Sequence, residues 1–160
     1  MIYDLHCTDD KVIWNNGTEH VVSLDDAFMA IEVNGYVQVC CGVNYSIDKI
    51  AYFTEYGDFV ADYDFSTKIL RSRNGARIKV EHIITIIPLN KIQGVVILTE
   101  YNTIVVCRPE GKSVELNAPY GITLMMLDIV DDVIRVLCKD RFDSKVMYKY
   151  NLDENKLELE

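Results

Sequence analysis

The chain has 160 residues, 49% of them apolar and 26% charged, and carries sixteen basic against twenty-five acidic side chains for a net charge of −9. This length predicts one domain that needs no disulfide or metal to hold it together, and the acidic balance argues against direct contact with nucleic acid or an anionic membrane. No apolar run nears the roughly 18 residues that span a bilayer, and the start Met-Ile-Tyr-Asp-Leu-His-Cys lacks the basic and hydrophobic stretches of a signal peptide, so a cytoplasmic chain is expected.

In chain order, the elements read as short strands. A partial unit over 1–24 holds apolar runs at Ile2 to Cys7, Lys11 to Trp14 and His20 to Leu24. The first full unit, 27–65, runs from Phe28 to Val33, through Asn34-Gly35 into Tyr36 to Cys41, then Lys49 to Thr54 and Phe59 to Tyr63. Such β-branched and aromatic runs, separated by turn residues, predict antiparallel strands. Ser23-Leu24-Asp25-Asp26 offers a helical alternative, with Ser23 as N-cap and acids in the first turn, but the β-branched residues that follow favour strand. Residues 66–81 form an inserted hairpin about Asn74-Gly75. A second unit spans 83–116 and a third 123–159, with turns at Pro109-Glu110-Gly111, Asp131-Asp132 and Asp153-Glu154-Asn155.

Asn-Gly occurs three times, at 16–17, 34–35 and 74–75. It is the strongest short hairpin signal because both residues tolerate the positive φ of a type I′ turn. Equivalent positions Ile31, Ile87 and Leu127 fall 56 and then 40 residues apart, and the excess of 16 matches the inserted hairpin. A single all-β antiparallel meander over 1–160 follows. Its four-strand rhythm resembles a β-propeller, incomplete or four-bladed, although no Trp-Asp, Gly-His or kelch-type double glycine is present. A two-sheet β-sandwich is the alternative.

Catalytic chemistry finds little to work with. The three histidines, His6, His20 and His82, lie in no motif, and no G-x-S-x-G, H-E-x-x-H or Walker loop appears. Acid pairs such as Asp9-Asp10, Asp25-Asp26 and Asp131-Asp132 are what turns ordinarily contain, and Asp62-Tyr63-Asp64 does not continue into a calcium loop. The five cysteines, Cys7, Cys40, Cys41, Cys107 and Cys138, have no C-x-x-C spacing and read as reduced core thiols. A non-enzyme without metal or cofactor is expected.

The most distinctive stretch is Tyr52 to Phe65, where three tyrosines, three phenylalanines and four acids crowd into fourteen residues around a turn. Tyrosine is a favoured interface anchor, and neighbouring acids suit a cationic partner. Glu55, Tyr56, Asp58, Asp62, Tyr63 and Asp64, with Asp131 and Asp132, are therefore the candidate partner-binding residues. The competing reading is that the rings fill the core and the acids solvate the turn. In general character, small and acidic with tyrosine-bearing hairpins, the chain is similar to bacterial immunity proteins of contact-dependent growth inhibition systems. That resemblance implies a non-catalytic cytoplasmic protein that occludes the active site of a basic nuclease toxin. A propeller-like adaptor binding peptides or subunits is the second expectation, and an enzyme or sugar-binding protein using acids from several loops the third.

Overall fold

Runs of four to eight β-branched and aromatic residues, punctuated by Gly, Asn and Asp, leave the backbone little choice but extended segments and tight turns. In a computed structural model that describes residues 1–8 and 10–160, seventeen strands form and no helix is present among the described residues. None is therefore long and apolar enough to cross a membrane. Asp9, of the Asp9-Asp10 pair, lies outside the described residues. The chain folds as two compact units, residues 1–80 with 109–111, and residues 81–108 with 112–160.

The first unit holds two sheets. One has three strands, β1 (Tyr3–Thr8), β2 (Lys11–Asn15) and β3 (Glu19–Ser23). The other has six, β4 (Ala27–Val33), β5 (Tyr36–Cys41), β6 (Lys49–Thr54), β7 (Phe59–Asp64), β8 (Ile69–Ser72) and β9 (Arg77–Lys79). The second unit holds two four-stranded sheets: β10 (Ile83–Leu89), β11 (Gly94–Thr99), β12 (Thr103–Cys107) and β13 (Ser113–Asn117); then β14 (Thr123–Val130), β15 (Val133–Lys139), β16 (Lys145–Asn151) and β17 (Lys156–Leu159). Within every sheet the strands lie side by side in chain order and pair antiparallel, so each is an open meander.

The helix that Ser23-Leu24-Asp25-Asp26 could open does not form. Asp26 sits at φ 59, outside the helical region, and β4 pairs with β5 from Ala27↔Cys41 to Val33↔Tyr36. The hairpin at 66–81 does not stand apart either: β8 pairs with β7 through Asp62↔Arg71 and Tyr63↔Leu70, so it extends the sheet to six strands.

Asn-Gly proves a less uniform signal than the sequence suggests. Only Asn34-Gly35 has positive φ at both residues, 51 and 80, as a type I′ turn requires. Around Asn74-Gly75 only the glycine is left-handed, and the Gly75 amide bonds the Ser72 carbonyl at 2.9 Å, the pattern of a three-residue loop closed by a bulge. Among the described residues, Asp131-Asp132 also has positive φ at both positions, 50 and 64, joining Val130 to its partner Val133.

Each sheet opens on a strand whose register slips once near its start: between Tyr3 and His6, Ala27 and Met29, Ile83 and Thr85, and Leu124 and Met126. These are edge strands, and β4, β10 and β14 expose Met29, Ile31, Ile84, Met125 and Met126. A bulge twists such an edge away from foreign strands, which blunts its tendency to aggregate.

Core formation follows the strand alternation. In the first unit, Val12 and Trp14 of β2 pack with Val37, Val39, Ala51 and Phe53 of the six-stranded sheet. In the second, Val96, Leu98, Ile104 and Val106 pack with Leu127, Ile134 and Val136. Every residue of β11 is buried, which matches its uninterrupted apolar run.

Candidate functional site

The β6–β7 turn, Glu55 to Asp58, is built from its first residue. The Thr54 amide donates to the Asp58 carbonyl at 2.8 Å, and the Gly57 amide to the Thr54 carbonyl at 3.0 Å. The Thr54 hydroxyl accepts the amides of Tyr56 and Asp58 at 3.3 and 3.1 Å. Gly57 adopts φ 88, a conformation costly for any side chain, and an added Cβ would meet His20 and Trp14 at 3.7 and 3.9 Å. The buried Trp14 indole donates to the Glu55 carbonyl at 2.6 Å, so β2 staples the turn from beneath.

On this fixed turn Tyr56 is 65% exposed, and Asp58 is solvent-facing with Arg73 at 3.9 Å. The Glu55 carboxylate receives the Met1 ammonium at 2.5 Å. That bond and the Tyr56 hydroxyl hold the Glu55 carboxyl below the usual range, while the same carboxylate pushes the Tyr56 phenol up. Glu55, Tyr56 and Asp58 thus share one hydrogen-bonded turn.

The next three candidates behave differently. Tyr63 is 2% exposed, its hydroxyl donates to the Val80 carbonyl at 2.5 Å, and its ring meets Phe65 edge-on at 5.0 Å. It is a core residue, so its expected place in a binding surface is corrected. Asp62 is 7% exposed and spends its charge internally: Arg71 forks onto it through Nε at 3.3 Å and Nη2 at 2.6 Å, and Lys49 Nζ lies at 3.4 Å. A carboxylate already held by two cations has little left for a third, which removes Asp62 from the surface set as well. Asp64 closes the following turn. It accepts the Ser66 hydroxyl at 2.7 Å and the Ser66 and Thr67 amides at 2.8 and 3.2 Å, which lower its pKa. Asp131 and Asp132 belong to the second unit, where they form the β14–β15 turn, with Asp131 exposed and Asp132 half-buried.

Sequence reasoning missed the cations. Arg71 and Lys49 lie 9 and 13 residues from Asp62, and only the registers Ala51↔Asp62 and Asp62↔Arg71 bring them to one face. The basic run Arg71, Arg73, Arg77 was a visible signal, concealed by the acidic total.

Each histidine has a polar neighbour within its own unit. His6 Nδ1 lies 2.9 Å from the Asp4 carbonyl, His20 Nε2 2.7 Å from Asn16 Oδ1, and His82 Nδ1 3.4 Å from Glu100. None of the five cysteines is in a disulfide, and burial pushes the thiols of Cys41 and Cys138 up to about 11. Among the described residues no group of three His, Cys, Asp or Glu side chains is placed to hold a metal. The chain matches no protein-family model, no curated protein and no solved structure.

Proposed function

We propose that the chain is a non-catalytic binding protein that meets a basic protein partner through the β6–β7 tip, and that it acts as an immunity protein covering the active site of a cationic nuclease toxin. The observation that carries this reading is Tyr56, 65% exposed on a turn fixed by Thr54, Gly57 and the Trp14 bond to Glu55. A turn whose backbone is already hydrogen-bonded has less left to order on binding, and an exposed tyrosine on it is a favoured interface anchor. The exposed Asp58 carboxylate beside it carries the sign of charge that phosphates present to a nuclease, and the net charge of −9 speeds encounter with a basic surface.

A second reading, a propeller-like adaptor for peptides or subunits, draws on the register slip that opens all four meanders. A recurring bulge at the same stage of each sheet is the kind of detail that repeated blades share.

The two readings separate in one experiment. Tagged wild-type protein and a Tyr56→Ala/Asp58→Lys variant are expressed in the native host, and their retained proteins are compared by quantitative mass spectrometry. The first reading expects one basic protein, held one-to-one by the wild type and lost by the variant. Retention of that protein by both forms would refute the tip, and a set of several subunits, equally retained, would favour the adaptor.

A further inference from the structure

Two of the most exposed rings among the described residues stand on adjoining turns of the second unit: Tyr120 is 93% and Phe142 80% exposed. In the Tyr120 turn the Ile122 amide donates to the Pro119 carbonyl at 3.0 Å and Gly121 has φ 77, as in a type II turn. Asn102 braces it from the β11–β12 turn, where its Nδ2 donates to the Ile122 carbonyl at 2.8 Å and its Oδ1 accepts the Leu124 amide at 2.7 Å. Phe142 rides on the β15–β16 turn, held by the Asp140 carboxylate, which accepts the Phe142 and Ser144 amides at 2.9 and 3.0 Å. Arg141 joins the two turns, its guanidinium carbon 5.9 Å from each ring centroid.

The cations at this end are unanswered. Arg141, Lys139 and Lys145 enter no ion pair among the described residues. Lys139 and Lys145 lie directly opposite each other where β15 pairs with β16, and Thr123 of β14 flanks Lys139 on the other side. Like charges in that position weaken a sheet. Further along the same strands the conflict is relieved: Arg135 and Lys149 also stand opposite each other, but Asp128 and Glu158 flank them. The lysine row has no such acids. Of the two carboxylates in the turn, Asp140 is committed to its amides and Asp143 faces solvent. Three cations therefore meet two acids between Lys139 and Lys145, in a chain of net charge −9. Phe142 has no polar tip to gain from water, so its exposure is itself a cost that a partner would remove.

We propose that this end of the second unit docks an acidic, extended segment of another protein. Its carboxylates meet Lys139, Lys145 and Arg141, and its apolar side chains cover Tyr120 and Phe142. Tyrosine and arginine are the residues that anchor protein interfaces, and the rings, the guanidinium and the lysine pair span two turns and a strand end, a reach that suits a peptide segment better than a small molecule. A single-stranded nucleic acid would also stack on exposed rings, but it needs a basic groove that follows its backbone, and the net charge of −9 repels a run of phosphates. The residues belong to the second unit and those of the Tyr56 tip to the first, so either surface can stand without the other.

The test is an amide NMR titration of the intact protein with a short capped peptide that alternates glutamate and leucine. Two control peptides replace its glutamates by glutamine or its leucines by serine, and a short oligouridylate serves as the nucleic-acid probe. The expected result is saturable binding of the first peptide, with shifts centred on the Pro119–Ile122 and Lys139–Lys145 turns and each control about tenfold weaker or worse. Arg141→Gln and Phe142→Ala, both at exposed side chains where folding is not at stake, should each weaken the peptide about fivefold or more. Equal binding of the glutamine control, shifts centred elsewhere, unchanged affinity in either variant, or no saturable binding would overturn the proposal. Tighter binding of the oligouridylate would assign the surface to nucleic acid instead, and concentration-dependent shifts at these turns without any probe would assign it to a second copy of the chain; either result overturns it too.

Discussion

Replacing Asp62 by asparagine keeps the shape of the side chain and removes the one charge that Lys49 and Arg71 share. At a surface-like effective dielectric each contact carries about 4 kcal/mol of attraction, but that figure ignores solvent. The Lys49 and Arg71 side chains are 34% and 41% exposed, whereas that of Asp62 is only 10% exposed. The cations can recover much of their hydration, while the fork from Arg71 and the dry position of the carboxylate cannot be replaced. The net loss should fall between the values for exposed and buried pairs, at about 2 kcal/mol. For a chain of this size that corresponds to a fall in Tm of roughly 4–8 °C. Urea unfolding followed by the fluorescence of Trp14 measures it, with Asp58→Asn as the control, since Asp58 is exposed and its Arg73 contact is long at 3.9 Å. The control should lose less than about 0.5 kcal/mol. A loss as small for Asp62→Asn would refute the reasoning.

Three further outcomes follow from the same geometry. Asp131 and Asp132 occupy left-handed conformations and carry like charges side by side, so Asp131→Asn with Asp132→Gly should raise stability by about 1 kcal/mol in urea unfolding; an unchanged or lower midpoint would contradict the turn. Asp64 has a folded pKa below its unfolded one, so its contribution is full above the ordinary aspartate value of about 3.9 and fades as pH falls through the folded value. The stability gap between wild type and Asp64→Asn should therefore be constant above about pH 5 and close below it, as acid titrations at several urea concentrations would reveal; a gap that widens in acid would be wrong in sign. With Cys40, Cys41, Cys107 and Cys138 buried and Cys7 half-buried, Ellman's reagent at pH 8 should label at most Cys7 in the native protein and all five thiols in guanidinium, and rapid labelling of two or more native thiols would refute the packing.

Strand positions were legible because they rest on local chemistry. Tyr36 to Cys41 and Thr103 to Cys107, for example, announce themselves by β-branched and aromatic residues between turn formers. Turn type was less legible: Asn74-Gly75 does not take the type I′ conformation its sequence suggests, whereas Asp131-Asp132 has positive φ at both residues, because loop length and strand twist select the turn along with its residues. Facing was the least legible. In Phe59–Asp64 four consecutive residues are buried, Asp62 and Tyr63 among them, since both faces of β7 are covered and alternation alone gives no warning of it. The acids were visible as a cluster, but their partners Lys49 and Arg71 arrive from adjacent strands, and pairing across a sheet is not written in local composition.

The reading as a whole turns on whether the Tyr56 tip meets a basic protein. Titration calorimetry of the captured basic partner with wild type and with Tyr56→Ala measures this directly. One-to-one binding that weakens about 30-fold, equivalent to about 2 kcal/mol, and that declines as salt is raised, is the expected result. Equal affinity of the two proteins for that partner would contradict it.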